Sequence, residues 1–186
     1  AVGYYGDQGD RELTEDAPGG TMFLSEVCRQ WESAAAPAAE AGIRVVHPRL
    51  GVVLSRRAGA LAAMLRPFRM GLGGPVGSGR QYISWIALAD TVAAIRFLID
   101  QASLAGPVNI CSPEAATNAE FARALGRALH RPAIVPTPAF AVRLALGEMA
   151  DELVLASARM APKKLLDAGF AYRYPLLPGA LTAALE

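Results

Sequence analysis

The side chains best suited to chemistry are two adjacent tyrosines near the start of the chain, Tyr4 and Tyr5, and the arginines Arg49 and Arg80. A tyrosine hydroxyl can transfer a proton, and a guanidinium group can pair with a phosphate or a carboxylate. A structural role is the alternative for these residues: core packing for the tyrosines, and a solvent-facing side chain for Arg80.

Arg49 lies toward the carboxyl end of Ile43–Ser55, an apolar run rich in β-branched residues that is typical of a strand buried on both faces. Helical patterns precede and follow this run, over Met22–Ala41 and Ala60–Met70, and strand alternating with helix indicates an α/β fold. Ligands of such folds bind beyond the carboxyl ends of the strands, so Arg49–Val52 is the first segment in which to expect a site.

The remaining elements follow from periodicity and from turn residues. They are the strands Val2–Tyr5, Arg80–Ile86 and Pro107–Cys111, a helix over Asp90–Asp100, a helix from a capping box at Thr117 to about Leu129, and short helices over Pro138–Met149, Ala150–Ala158, Pro162–Ala168 and Leu177–Leu185. We expect Val2–Tyr5, Ile43–Leu54 and Pro107–Cys111 to lie parallel in one sheet. Asp7–Gly20 is polar and predicts a surface loop with a solvated Glu15.

One apolar stripe stands out on the first helix. Phe23, Val27 and Trp31 are spaced four apart, so they share a helical face, and core packing is the interpretation that we favour.

Composition excludes several classes of function. Two cysteines and two histidines offer no metal-ligand spacing, and Cys28 and Cys111 are expected to be buried free thiols in a reducing cytoplasm. A net charge of +1 is too small to attract nucleic acid or an anionic membrane electrostatically. No apolar run reaches the roughly 18 residues needed to span a bilayer. Neither nucleic acid nor a membrane is therefore expected as a partner.

Five glycines fall within Gly71–Gly79 and suggest a phosphate cradle. Their spacing is not Gly-x-Gly-x-x-Gly, and the segment follows a helix, whereas a dinucleotide fingerprint needs a strand before it and a helix after it. We therefore reject the phosphate-cradle interpretation. The alternative that this segment is a loop that folds over a site stays open.

Three motifs occur in an order and spacing that resembles the extended short-chain dehydrogenase/reductases, the NAD(P)-dependent sugar epimerases and dehydratases. They are Tyr4-Tyr5-Gly6, Arg49-Leu50-Gly51-Val52-Val53 and Gly77-x-Gly79-x-Gln81 followed by Trp85-Ile86 and Asp90. Gly73–Ile86 and Gly147–Pro175 look like the atypical "epimerase family" proteins, which carry a C-terminal domain of unknown function. The resemblance implies the C-terminal half of a Rossmann-type parallel sheet over residues 1–130, without the cofactor half, and a small, mostly helical domain over 131–186.

The resemblance also shows which catalytic residues are missing. Members of this superfamily use a tyrosine with a lysine four residues later, and these positions hold Phe23 and Val27. The partner serine position holds Ala1, although a one-residue bulge could place a serine before it. Phenylalanine cannot transfer a proton, so the ordinary triad is absent, and Tyr4 and Tyr5 are only weak candidates for acid/base chemistry.

The family geometry assigns the remaining site residues. Arg49, Gly51 and Val52 would bind the cofactor, with the glycine allowing close approach of the nicotinamide ring. The substrate side would be lined by Arg80, Gln81, Tyr82, Ser84 and Trp85. We expect Arg49, Gly51 and Tyr5 to cluster at one rim of the sheet, near Tyr82–Trp85 and open to solvent.

The function implied is that of a cytoplasmic NAD(P)-dependent oxidoreductase or epimerase-like protein, present here as a fragment, acting on a small polar substrate. Two alternatives stay open: a non-catalytic NADP-binding or sensing protein, and an inert fragment. We expect the complete protein to bind NADP or NAD. We expect this chain alone to bind neither, because it lacks the Gly-rich turn that holds the pyrophosphate. Because Val2–Tyr5 is expected to be an exposed sheet edge, we predict that the chain associates with itself through this edge.

Overall fold

The computed structural model describes residues 1–186, and its sheet consists of short strand pairs. Strand β2 (Val46–Leu50) pairs in parallel with β6 (Gly106–Ile110), and β3 (Val52–Leu54) pairs in parallel with β5 (Trp85–Ala87). The predicted parallel pairing of the central run with Pro107–Cys111 is confirmed, and so is the α/β class.

The other strand pairs are two residues long. β1 (Glu12–Leu13) pairs in parallel with β8 (Arg159–Met160), and β4 (Tyr82–Ile83) pairs antiparallel with β7 (Ala116–Thr117). β1 and β8 join the first loop of the chain to its C-terminal segment.

The helices follow the predicted order. They are α1 (Phe23–Ser33), α2 (Ala36–Glu40), α3 (Gly59–Arg69), α4 (Leu88–Asp100), α5 (Asn118–Ala128), α6 (Ala139–Leu146), a π-helix (Asp151–Leu155), α7 (Lys163–Asp167) and α8 (Leu177–Leu185). The capping box is confirmed, because the Thr117 hydroxyl accepts from the N–H of Glu120 while the Glu120 carboxylate accepts from the N–H of Thr117. No helix has the length and apolar character that crossing a bilayer requires.

The strand predicted at Val2–Tyr5 is wrong. Val2–Tyr4 is a 3₁₀ helix, in which the N–H of Tyr4 donates to the carbonyl of Ala1 at 3.0 Å. A four-residue apolar run carries too little periodicity to separate a strand from a helical turn. The predicted exposed sheet edge at this segment is therefore wrong as well.

The packing predicted for the apolar stripe of α1 is also wrong. Phe23 is 72% exposed and Trp31 is 68% exposed, whereas Ser25 and Cys28 form the buried side of the helix. The hydroxyl of Ser25 donates to the carbonyl of Gly3 at 2.9 Å, so α1 contacts the 3₁₀ turn through its small residues. The stripe is thus left as an open apolar face.

The hydrophobic core is shared between the first 130 residues and the rest of the chain. The largest cluster joins residues of α3, β5 and α5 to Leu177 and Leu181 of α8, and a second cluster joins β6 and α4 to Leu165 and Phe170. The division at residue 131 stays a prediction, and the two ranges share their packing.

Candidate functional site

Arg49 lies at the centre of a buried polar cluster. Its Nε and Nη2 each donate to a carboxylate oxygen of Glu32 at 2.8 Å, and its Nη1 donates to the hydroxyl of Tyr5 at 3.0 Å and to the carbonyl of Glu15 at 3.2 Å. The guanidinium carbon lies 3.4 Å from the ring centre of Tyr4, a cation–π contact. Only 3% of Arg49 is exposed. The group is fully occupied by protein, so its surroundings favour a structural role over the predicted contact with the cofactor.

Tyr5 belongs to the same cluster and is fully buried. Its hydroxyl donates to Oδ1 of Asn109 at 2.7 Å and also lies 3.2 Å from the carbonyl of Thr14. Burial raises the pKa of Tyr5 above its ordinary value, which opposes ionisation at neutral pH. Of the two weak catalytic candidates, Tyr5 has no access to a substrate in this structure, and the half-buried Tyr4 stacks on Arg49.

Glu15 and Asn109 complete the cluster, and neither was predicted to take part. The Glu15 carboxylate is buried and accepts from the N–H of Asn109 at 3.1 Å and from that of Lys164 at 3.2 Å. The prediction of a solvated Glu15 is wrong, because α7 returns over the loop that contains it. An asparagine within the apolar strand Pro107–Cys111 was the available signal, since a buried amide needs partners.

Gly51 marks the point at which the central run changes its partner strand. Its N–H donates to the carbonyl of Ile110 at 2.9 Å, and the next residue, Val52, donates to the carbonyl of Ser84 at 2.7 Å. A Cβ at Gly51 would lie 2.6 Å from the Ser84 oxygen. The backbone of Ser84 therefore occupies the space that a side chain at position 51 would need. Val52 is in register with Trp85, so the two motifs lie side by side as predicted.

Gln81 and Ser84, predicted to face the substrate, are buried and hold the C-terminal segment. The Ser84 hydroxyl donates to the carbonyl of Ala158 at 2.6 Å and accepts from the N–H of Met160 at 2.8 Å. The side-chain amide of Gln81 donates to the carbonyl of Val154 at 3.3 Å. The prediction that this rim is open to solvent is wrong at these positions.

The other three predicted substrate residues differ in their exposure. Arg80 is exposed and makes no salt bridge, and Tyr82 is half-buried under the guanidinium of Arg159. Trp85 is 1% exposed, and its indole N–H has no hydrogen-bond partner. Arg80 and Tyr82 therefore remain the residues of this group that a ligand could reach.

The start of α1 is capped from a distant part of the chain. The carboxylate of Glu152, in the π-helix, accepts from the N–H of Phe23 at 3.1 Å and from that of Leu24 at 2.7 Å. The N-cap residue, Met22, has no side-chain acceptor of its own, and a negative charge is favourable at a helix N-terminus. The structure thus places a carboxylate beside Phe23, the position that the family gives to its proton-transferring tyrosine. From sequence, Thr21 was the plausible N-cap of this helix, whereas the structure has Met22 at that position.

Comparison with known proteins identifies the class. Residues 137–184 match a family model described as a domain of unknown function, DUF1731. "Epimerase family protein ML0860" of Mycobacterium leprae is 47% identical over 184 residues, and the mouse "Epimerase family protein SDR39U1" is 42% identical over 182 residues. These alignments cover 99% and 97% of this chain but 60% and 61% of the relatives.

A solved structure gives the same result. The crystal structure of human epimerase family protein SDR39U1 with NADPH superposes with a TM-score of 0.91 at 37% identity, covering 100% of this chain and 63% of that one. Parallel strands packed with helices, together with this match, indicate a Rossmann-type α/β fold like that of the epimerase family proteins. The chain resembles the C-terminal part of these proteins, and the predicted resemblance is confirmed.

Proposed function

We propose that the protein to which this chain belongs is an NADPH-dependent oxidoreductase or epimerase-like protein that acts on a small polar molecule. The observation that carries the proposal is the likeness to human SDR39U1, which was crystallised with NADPH and superposes on the whole of this chain. The chain spans about 60% of the length of its curated relatives, so the activity is proposed for the complete polypeptide.

The residues predicted to hold the cofactor do not offer it free polar groups. The donors of Arg49 are taken up by Glu32, Tyr5 and Glu15, and the space beside Gly51 is filled by Ser84. These residues do not fit a direct binding role, and we propose that they shape the rim of the sheet. The cofactor phosphates would be bound by residues outside this chain.

Non-catalytic binding of NADP is the second candidate, and one observation favours it. The resemblance gives Phe23 and Val27 the positions of the proton-transferring tyrosine and its lysine, and the hydroxyl of Tyr5 is buried. The carboxylate of Glu152 contacts the first turn of α1, where it accepts from the N–H groups of Phe23 and Leu24.

Turnover measurements on the complete polypeptide separate the two candidates. NADPH would be supplied with a panel of nucleotide sugars, with its consumption followed by absorbance and sugar epimerisation by NMR. Either reaction supports the enzyme, whereas NADPH binding without any turnover supports the sensing protein. Failure to bind NADPH would exclude both.

We further propose a cytoplasmic location, supported by two buried free thiols, Cys28 and Cys111. The proposed partner is a small molecule, with no nucleic acid and no membrane. Self-association stays a prediction, and the open apolar face of α1 now supports it in place of the 3₁₀ turn at Val2–Tyr4.

A further inference from the structure

A cavity of about 460 Å³ lies beyond the last turn of α5. The chain folds back over the helix there, and Gly126 allows the close approach, because a Cβ at this position would lie 2.7 Å from the Cβ of Ala133. Arg123, Arg127, His130 and Arg131 line the cavity, and no acidic residue does.

The three arginines of this cavity have no carboxylate partner. None of them takes part in the four salt bridges of the structure, and their one side-chain hydrogen bond runs from Nε of Arg131 to the carbonyl of Arg69 at 3.3 Å. The nearest acid along the helix, Glu120, has its carboxylate engaged by Thr117. Arg123 and Arg127 are four residues apart on one helix, so they repel each other unless an anion lies between them.

Arg127 lies in the last turn of α5, where the helix dipole favours a cation, but hydrogen bonds to the end of the helix do not explain the arginines. The carbonyls of Leu125, Gly126 and Arg127 already accept backbone N–H groups, from Leu129, Arg131 and His130 respectively. His130 has a φ of 52°, and it is the one non-glycine residue of the chain with a positive φ. His130 directly follows the C-cap of α5, Leu129, and a left-handed residue at that position is a common way for a helix to end.

We propose that this cavity binds the phosphate of a small phosphorylated molecule. Guanidinium groups match the geometry of phosphate oxygens, and the volume lies within the range of small-molecule sites. Arg127 also lines a neighbouring cavity of about 420 Å³, which Glu114, Glu120 and Leu177 border. The uncharged part of the molecule has room there, whereas the two carboxylates keep the phosphate on the arginine side. The net charge of +1 favours a small ligand over a nucleic acid. This site is independent of the proposed NADPH activity.

Calorimetric titration of the 186-residue chain with inorganic pyrophosphate tests the site. Arg127→Gln and Arg123→Gln should each weaken binding by about tenfold, the loss expected for one charge-assisted hydrogen bond. Arg57→Gln and Arg96→Gln remove exposed arginines elsewhere and serve as matched controls, which should bind like the parent chain. Because all four side chains are exposed, circular dichroism should show the same fold in every variant.

Three results would overturn the proposal. The first is no heat of binding at millimolar pyrophosphate, and the second is equal weakening in the control variants, which would mark a general charge effect. The third is tighter, arginine-dependent binding of a short DNA duplex, which would mark the surface as one for a polyanion. Binding of pyrophosphate that is lost only in the cavity variants supports the site.

Discussion

Arg49 and Glu32 form an ion pair in which the arginine is almost fully buried. Arg49→Ala should lower the free energy of unfolding by about 3–5 kcal/mol, because it empties a buried site and leaves the buried hydroxyl of Tyr5 and the partly buried carboxylate of Glu32 without their donor. Arg49→Lys should recover only part of the loss, since an ammonium group cannot make two parallel bonds to one carboxylate. Urea unfolding followed by circular dichroism measures both.

The exposed pair between Lys163 and Asp167 provides the control for this experiment. Lys163→Ala removes a charge of the same sign from a solvated helix surface and should change stability little. If Arg49→Ala proved no more costly than Lys163→Ala, the structural role of Arg49 would be refuted.

Cys111 and Tyr172 make the stability of the chain sensitive to alkaline pH. Burial raises the pKa of both groups above their ordinary values, and the Tyr172 hydroxyl donates to the carbonyl of Cys111 at 2.8 Å. The folded state therefore holds these protons more tightly than the unfolded state, and the stability that they contribute is complete below the unfolded pKa values, roughly 8.5 for a thiol and 10 for a phenol.

The free energy of unfolding should accordingly fall as the pH rises above about 8.5. Cys111→Ala should remove the first part of this decline and Tyr172→Phe the later part, as read from urea midpoints across the alkaline range. Identical slopes in the parent chain and the double variant would show that these two groups are not responsible.

Sequence could identify the polar residues of this cluster but not their partners. Arg49 and Tyr5 were recognisable by type and by motif, yet their hydrogen-bond partners are Glu32, Asn109 and Glu15. Tyr5 and Asn109 are separated by 104 positions, and no local pattern encodes such a contact. From their types, Arg49 and Tyr5 suggested ligand binding, whereas the fold uses both for hydrogen bonds inside the protein.

Gly51 permits the central run to pass from β6 to β5, and a side chain there should be costly. Gly51→Ala would place a Cβ 2.6 Å from the Ser84 carbonyl oxygen and should destabilise by about 1–3 kcal/mol. Gly179→Ala is the matched control: no atom lies within 4 Å of its added Cβ, so it should stabilise α8 by up to about 1 kcal/mol. Thermal unfolding of both variants gives the comparison, and a neutral Gly51→Ala would contradict the close approach.

Glu152 fixes the start of α1 from the π-helix. Glu152→Ala should cost roughly 1 kcal/mol, the usual value of a helix cap, and should speed hydrogen exchange at the amides of Phe23 and Leu24. Glu148→Ala removes an exposed carboxylate that makes no hydrogen bond and should leave those amides unchanged. Equal exchange rates in the two variants would show that the cap is not formed in solution.

The helices were the most predictable elements, because α1, α3, α4 and α5 carry strong 3.6-residue periodicity or a capping box. The 3₁₀ turn at Val2–Tyr4 was not predictable, because it is only three residues long. A short helix was predicted over Ala150–Ala158, and the structure has a π-helix there, at Asp151–Leu155. Periodicity did place Phe23 and Trp31 on one face. It could not tell whether anything in this chain covers that face.

At the scale of the whole molecule, one apolar surface remains without a partner within the chain. It is the face of α1 that carries Phe23 and Trp31, both of which are exposed. We propose that the part of the relatives' length that this chain does not match would cover this face. The open face would then be the contact between the substrate side of the protein and its cofactor side.

NADPH titration of two polypeptides tests this account most directly. We predict that the 186-residue chain alone shows no binding by calorimetry, because its candidate cofactor residues are engaged within the protein, whereas the complete polypeptide binds NADPH with a Kd on the order of micromolar. Micromolar binding by the 186-residue chain alone, or no binding by the complete polypeptide, would contradict the account.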